Sequence, residues 1–123
     1  MKIDRLWLVP PDMGEYGKAL WKRIGKDLVE SGSLDSLDRE SFDTMCRNYD
    51  RMRVADKQMT DEGVTVDGRD GPKKHPAFPV WKTAFDNYVK LSSHFGLTPM
   101  SRGFKVTPTE KAVSNEKAQF FTR

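Results

Sequence analysis

A chain of 123 residues with 37% apolar and 32% charged side chains, a net charge of +3 and a pI near 9.0 is expected to form one domain around a single core. No apolar run approaches the roughly 20 residues of a membrane span, and the start of the chain lacks the pattern of a signal peptide. A single cysteine, Cys46, excludes a framework of internal disulfides, so we expect a protein of a reducing cytosol without membrane contact.

The first predicted element is a helix over residues 12–31, preceded by an N-terminal arm, residues 1–11. Asp12 and Glu15 have the spacing of a capping box, and Gly32 is placed to end the helix in the left-handed conformation. Two glycines in the first turn cost roughly 1 kcal/mol each relative to alanine, so we expect this turn to fray. Apolar side chains recur at helical spacing: Tyr16, Leu20, Trp21, Ile24 and Leu28.

A second helix is predicted over residues 38–62. Asp43 with Arg47, and Arg53 with Asp56, have the spacing of ion pairs on a solvated helix face. The apolar stripe lasts less than three heptads, which favours a packed helix of a bundle over a coiled coil. Its members are Phe42, Met45, Cys46, Tyr49, Met52 and Met59.

Residues 63–76 interrupt the helical pattern. Val64 and Val66 alternate with polar residues, and Asp67-Gly68 is a turn dipeptide, which together favour a short β-hairpin. Three glycines and two prolines in the same stretch favour a flexible loop equally. Both interpretations stay open at this point.

A third helix is predicted from about residue 77 to residue 95. Gly96 is placed as its left-handed cap, and Leu97 falls where a Schellman motif returns an apolar side chain to the helix. The predicted inward stripe is Trp81, Phe85, Tyr88, Val89, Ser92 and Phe95. The sequence therefore predicts an all-α fold, with three long amphipathic helices in a small bundle.

Residues 103–123 form a polar tail in this interpretation. Thr107 and Glu110 have the spacing of another capping box, so a short C-terminal helix to about Phe121 is predicted. Its apolar face is too thin to be stable alone. We expect it to pack on the body or to await a partner.

Signals for catalysis are weak. No phosphate-binding glycine-lysine motif is present, and the only histidines, His75 and His94, have no clustered metal ligands beside them. Cys46 falls in the apolar stripe of the second helix and is expected to be a small buried side chain. We therefore expect no enzyme, no metal and no cofactor.

Basic side chains are biased toward the C-terminal half, where residues 99–123 hold five basic and two acidic side chains. The first helix carries three lysines at i,i+4 spacing, which suits contact with a polyanion but is also compatible with an ordinary solvated lysine face. No element with the pattern of a base-reading helix is evident. The candidate DNA contacts are Lys18, Lys22, Lys26, Lys73, Lys74, Arg102 and Lys105.

The order of these features, and above all the residues from Gly96 to Arg102, resembles the small subunits of tailed-phage terminases. The matching signature is Gly-Leu-Thr-Pro-x-Ser-Arg, and the likeness covers about residues 10–102. The resemblance implies a homo-oligomer, with a ring expected, that binds double-stranded phage DNA in the cytoplasm of the bacterial host. Such proteins regulate a separate large subunit that holds the ATPase and the nuclease.

Under this hypothesis, residues 12–102 are the helical core and oligomerisation domain, and ring contacts involve apolar residues such as Trp7, Leu8 and Met13. Phe120 and Phe121 are the candidate docking residues for the large subunit. Two alternatives stay open: a helical scaffold or adaptor that never touches nucleic acid, and a small dimeric transcription regulator.

Overall fold

The computed structural model describes residues 1–99 of the chain. Helices occupy the three predicted regions, and a two-stranded antiparallel sheet connects the second helix to the third. The elements are α1 (Glu15–Glu30), a 3₁₀ turn (Ser36–Asp38), α2 (Arg39–Glu62), β1 (Thr65–Gly68), β2 (Gly71–Lys74) and α3 (Ala77–His94). The described part of the protein is mostly helical but not purely all-α, because the stretch predicted as a hairpin or a loop forms a small antiparallel sheet.

α1 runs antiparallel to the first half of α2, and two glycines set how closely the helices approach. A Cβ atom on Gly14 would collide with the Asp50 carboxylate, and one on Gly17 would lie 2.9 Å from the carbonyl oxygen of Cys46. Because glycine lacks this atom, Asp50 reaches the start of α1 and accepts a hydrogen bond from the Gly17 N–H at 3.0 Å. A first-turn N–H has no partner within its own helix, so Asp50 caps α1 from the neighbouring helix.

The capping box predicted from Asp12 and Glu15 is wrong. The N-cap residue is Gly14, without a side-chain cap, and Asp12 forms an ion pair with Arg47 at 3.0 Å. The Arg47 guanidinium also contacts Asp43, which confirms the predicted pair on α2. Its hydrogen bond and charge lower the pKa of the Asp12 carboxyl. Asp12 therefore joins the start of α1 to α2 instead of capping its own helix.

The main core lies between α1, the N-terminal half of α2 and the end of α3. Its centre is the contact between Trp21 and Phe42, whose ring centroids are 4.8 Å apart. Burial in this core raises the pKa of the Cys46 thiol to about 12, which agrees with its predicted role as a small buried side chain. The buried set is Met13, Leu20, Trp21, Leu28, Leu34, Phe42, Met45, Cys46 and Phe95.

α3 runs antiparallel to α2 and contacts it along most of its length. Tyr88 stacks obliquely on Tyr49 with ring centroids 5.3 Å apart, and Ala77 packs beside Met59 near the far end of α2. The start of α1 lies near the middle of α2, where the Arg53 guanidinium is 4.9 Å from the ring centroid of Tyr16. The C-terminal half of α2 and the N-terminal half of α3 therefore extend beyond α1 as a pair.

The structure differs from the predicted helix faces at one ion pair of α2 and at two apolar residues of α3. Arg53 contacts Tyr16 and donates a hydrogen bond to the Tyr49 hydroxyl, and within residues 1–99 it forms no ion pair with Asp56. Phe85 and Val89, predicted to face inward, are 38% and 42% exposed. The stripe prediction is wrong at these two residues because the side of α3 that carries them is turned away from α2.

Glycines in the left-handed conformation end α1 and α3, as predicted. Gly32 has φ 68° and Gly96 has φ 72°. At the end of α3, the Leu97 N–H donates to the Ser92 carbonyl at 3.0 Å and the Gly96 N–H to the Ser93 carbonyl at 3.3 Å. This pair of bonds is the Schellman motif, and it explains the Gly-Leu step of the signature.

The segment after α2 is a hairpin, so the first of the two interpretations is confirmed. Its register pairs Gly68 with Gly71, which makes Arg69 and Asp70 the turn residues in place of the predicted Asp67-Gly68. Gly71 supplies the positive φ, at 116°. Gly68 instead permits close pairing, because a Cβ atom there would lie 2.7 Å from the Gly71 carbonyl oxygen.

Residues 1–11 lie against the core. The Trp21 indole N–H donates to the Trp7 carbonyl at 3.0 Å, and the Leu6 side chain packs where a Cβ atom on Gly25 would stand. Trp7 and Met13, suggested above as contacts between protomers, belong to the core of the single protomer. Leu8 remains exposed.

We expect Asp50→Ala to lower the free energy of unfolding by about 1–2 kcal/mol, because it removes the cap of α1. Thr44→Ala is the control, since Thr44 is an exposed residue of the same helix and lies outside the cap. Urea unfolding followed by circular dichroism measures both variants. Equal stability of the two variants would contradict the capping role.

Candidate nucleic-acid interface

Three lysines lie along the solvent side of α1, opposite the side chains that the helix buries. Lys22 and Lys26 are exposed and Lys18 is half-buried. Neighbouring members are separated by about 6 Å along the helix axis. Within residues 1–99 none of the three forms an ion pair, so their charges are available to an anionic partner.

Arg23 enlarges this basic face toward α3, and sequence reasoning missed it. Burial raises the pKa of the Tyr88 hydroxyl, and the positive charge of the nearby Arg23 opposes this shift. Arg23 is exposed and, among the described residues, forms no ion pair. The i,i+4 lysine pattern does not include Arg23, which is why it was missed. Its position next to Lys22 could have indicated that it belongs to the same basic surface. We call Lys18, Lys22, Arg23 and Lys26 the basic face.

Acidic side chains limit the strength of the basic face. Glu15, Asp27 and Glu30 are also exposed on α1. Glu15 lines a shallow hollow together with Lys18, Ala19 and Lys22. The face is therefore a track of four cations with an acidic group at its start and two near its end, and its net charge is small.

The hairpin carries Lys73 and Lys74 on β2, opposite Val66 and Thr65 of β1. Both lysines are exposed. Successive side chains of a strand point to opposite faces, and the Lys74 ammonium lies 5.2 Å from the ring centroid of Phe78 on α3. The two lysines therefore do not form a single patch, contrary to what their adjacency in the sequence implies.

His75 anchors the hairpin to both long helices. Its ring is buried, its Nδ1 accepts the Ala77 N–H at 2.9 Å, and its Nε2 lies 2.7 Å from a carboxylate oxygen of Glu62. Because Nδ1 is an acceptor, the ring proton is on Nε2 and is donated to Glu62. The side chain thus caps the start of α3 and joins it to the end of α2.

The α1 lysines and the hairpin lysines lie at different places along α2. α1 begins beside Arg53, and the hairpin follows Glu62, nine residues or roughly 14 Å further along the helix axis. The remaining candidates lie outside the described residues: Arg102, Lys105, Phe120 and Phe121. The structure therefore groups only the α1 lysines, with Arg23 added.

Residues 1–99 contain no group of three His, Cys, Asp or Glu side chains arranged to hold a metal ion. None of the helices in this part combines the length and apolar composition that a membrane-spanning segment needs. The feature that remains is a surface with positive charge.

The family comparison agrees with the resemblance drawn from the signature. The family described as phage terminase, small subunit, matches residues 17–112, which is most of the chain. The chain belongs to the phage terminase small-subunit family. No curated protein and no solved structure shows a significant match.

The family match begins at Gly17, the residue whose N–H is capped by Asp50, and includes the basic face, the hairpin and all of α2 and α3. It also includes the signature that begins at Gly96. In this terminase small subunit Gly96 and Leu97 have a structural explanation, because they end α3 and return an apolar side chain to the core.

We expect His75→Ala to lower the free energy of unfolding by about 1–2 kcal/mol, because it removes the cap of α3. His75→Asn should lose less, since an amide oxygen replaces Nδ1 as the acceptor for the Ala77 N–H. Glu62→Gln is the control that keeps the cap and weakens only the second contact. Urea unfolding of the three variants measures the order of stability, and equal losses for Ala and Asn would exclude the capping role.

Proposed function

We propose that this terminase small subunit binds double-stranded phage DNA as a homo-oligomeric ring and regulates a separate large subunit, without catalytic activity of its own, in the cytoplasm of the bacterial host. The observation that carries the DNA part is the basic face of α1, which presents four cations to solvent. Each phosphate contact by such a side chain releases counterions and adds affinity without reading base sequence.

Oligomerisation would supply the DNA affinity that a single protomer lacks. The whole chain has a net charge of only +3, and three acidic side chains share α1 with the basic face. Joining several protomers places many weak contacts on one duplex, and the effective concentration of the later contacts raises the overall affinity. A weak face on each protomer is thus compatible with firm binding by the assembly.

The alternative is a helical scaffold or adaptor that does not bind nucleic acid. The acidic residues on α1 favour it, because a mixed charge pattern is typical of a solvated helix face. The two functions differ in solution. A large particle whose DNA affinity falls steeply with salt supports the first function, and indifference to DNA supports the second.

We expect Lys18→Gln, Lys22→Gln and Lys26→Gln together to lower DNA affinity by an order of magnitude or more at low salt. If all three contact phosphate in each bound protomer, the slope of log affinity against log salt should decrease in magnitude by about 3 per protomer. Fluorescence anisotropy with a labelled duplex over a series of salt concentrations measures both quantities.

The matched control for this experiment is Lys57→Gln, Lys82→Gln and Lys90→Gln, which removes the same charge from α2 and α3. Two of its members form exposed ion pairs, with Asp61 and Asp86, and so have their charge already compensated. The control variant should keep most of the affinity and slope. Equal losses of DNA affinity in the two variants would show that only net charge matters, and the basic face would then not be the DNA-binding site.

Phe120 and Phe121 stay our candidates for contact with the large subunit. We expect deletion of residues 104–123 to abolish stimulation of the large-subunit ATPase while the oligomer remains intact. Phe120→Ala with Phe121→Ala should reproduce most of that loss, and Thr122→Ala is a control at the neighbouring position. ATPase assays and light scattering on the same samples test this, and stimulation that survives the deletion contradicts it.

A further inference from the structure

The layer that α2 and α3 form has two uncovered sides, which lie along residues 48–62 of α2 and residues 77–89 of α3. On one side a groove runs between the two helices, and on the other side a row of large apolar side chains lies along α3. The two sides differ in shape, since one is a groove and the other is a row of large side chains.

The groove has small side chains at its floor and β-branched side chains at its rim. It comprises two adjoining hollows of about 420 and 290 Å³, lined by residues of α2 and α3. Ala55, Ala77 and Ala84 are buried at the floor, whereas Val54 and Val80 at the rim are 43% and 51% exposed. Arg51 lines both hollows. We call this surface the alanine groove.

The other side carries Phe78, Trp81, Phe85 and Val89, which we call the aromatic ladder. Trp81 and Phe85 stack with ring centroids 5.1 Å apart and ring planes 9° from parallel, and Phe78 continues the row at 6.1 Å. The ladder is roughly 16 Å long from its first to its last residue. Phe78 and Trp81 are half-buried and pack on the cluster of Ala55, Met59 and Ala77, whereas Phe85 and Val89 are exposed.

The two surfaces lie on opposite sides of α3. At 100° per residue, the α3 members of the groove and the members of the ladder are separated by roughly 150° around the helix axis. Arg51 lies at the groove, and Asp56, five residues later on α2, lies on the ladder side. Neither forms an ion pair within residues 1–99. Within the described residues, the ladder side thus carries the free acid Asp56, and the groove carries the free base Arg51 next to Asp50, whose carboxylate already accepts the Gly17 N–H.

We propose that the aromatic ladder of one protomer packs into the alanine groove of the next, with Asp56 of one facing Arg51 of the other. The inference rests on the oligomer of the proposed function and specifies its contact surface. Shape selects the occupant: large side chains meet alanines, and the charges are opposite. The partner of each surface is therefore a second copy of this chain.

This contact is heterologous, because it joins two different surfaces of identical chains. Such contacts continue from protomer to protomer and close into a ring when the rotation between neighbours permits. A two-fold contact would stop at a dimer. The three lysines of the basic face belong to neither surface, so they stay available in every protomer of the assembly.

Blocking each surface separately tests the contact. Val80→Arg with Thr83→Arg fills the groove with charge, and Phe85→Asp with Val89→Asp places charge on the ladder, all at exposed positions. Leu37→Asp with Val64→Asp is the control, since both are exposed apolar residues elsewhere. Light scattering should show the wild type and the control as large particles, and each blocked variant alone as a monomer.

Mixing the two blocked variants is the decisive step. Each pair then retains one intact ladder and one intact groove, so the mixture should form a species of twice the monomer mass and nothing larger. A mixture that stays monomeric, or a blocked variant that keeps the wild-type mass, overturns the proposal. Circular dichroism of each variant verifies that the helices are retained.

Other occupants give other results. If residues 100–123 of the same chain cover the ladder, the blocked variants keep the wild-type particle mass, and deletion of these residues exposes apolar surface to a dye. If DNA covers the ladder, the blocked variants keep the wild-type particle mass but lose DNA affinity. Either result overturns the contact. If the wild type itself is a monomer at high concentration, the oligomer of the proposed function fails too, whereas an oligomer indifferent to both surfaces removes only this inference.

Discussion

The hydrogen bond from the Gly17 N–H to the Asp50 carboxylate fixes where α1 begins along α2, and much of the architecture follows from that position. Two glycines permit the approach, and their low helix propensity is offset by a cap supplied from the neighbouring helix. Because α1 starts beside the middle of α2, the main core forms around Trp21 and Phe42. The far halves of α2 and α3 receive no cover from α1, and Val54, Val80 and Phe85 are exposed there.

Local sequence patterns were enough to predict the three helices and the C-terminal ends of α1 and α3. Each helix turns one side toward a core, so its apolar period is visible, and the left-handed caps at Gly32 and Gly96 involve only neighbouring residues. The start of α1 was predicted wrongly because its partners are distant: Asp50 and Arg47 come from another helix. Phe85 and Val89 were misplaced for a related reason, since a period marks an apolar side without showing what covers it.

The candidate DNA-binding residues were also predictable only where local spacing determines their positions. The three lysines of α1 follow from helical spacing alone, and the structure places them on one exposed side. Lys73 and Lys74 needed the strand register, which sends adjacent side chains to opposite faces. The role of His75 could not be predicted from the sequence. Its buried ring contacts both Glu62 and the start of α3, and only the folded hairpin brings these groups together.

The proposed assembly and the proposed DNA contact involve different parts of the protomer. The basic face lies on α1, whereas the groove and the ladder lie on the layer formed by α2 and α3. A change on one surface therefore need not alter the other, and the two properties can be separated by substitution. In the proposed function they would still be coupled, because a face with four cations and three nearby acids would gain affinity from assembly. A protomer that cannot assemble should thus bind DNA weakly even with its basic face intact.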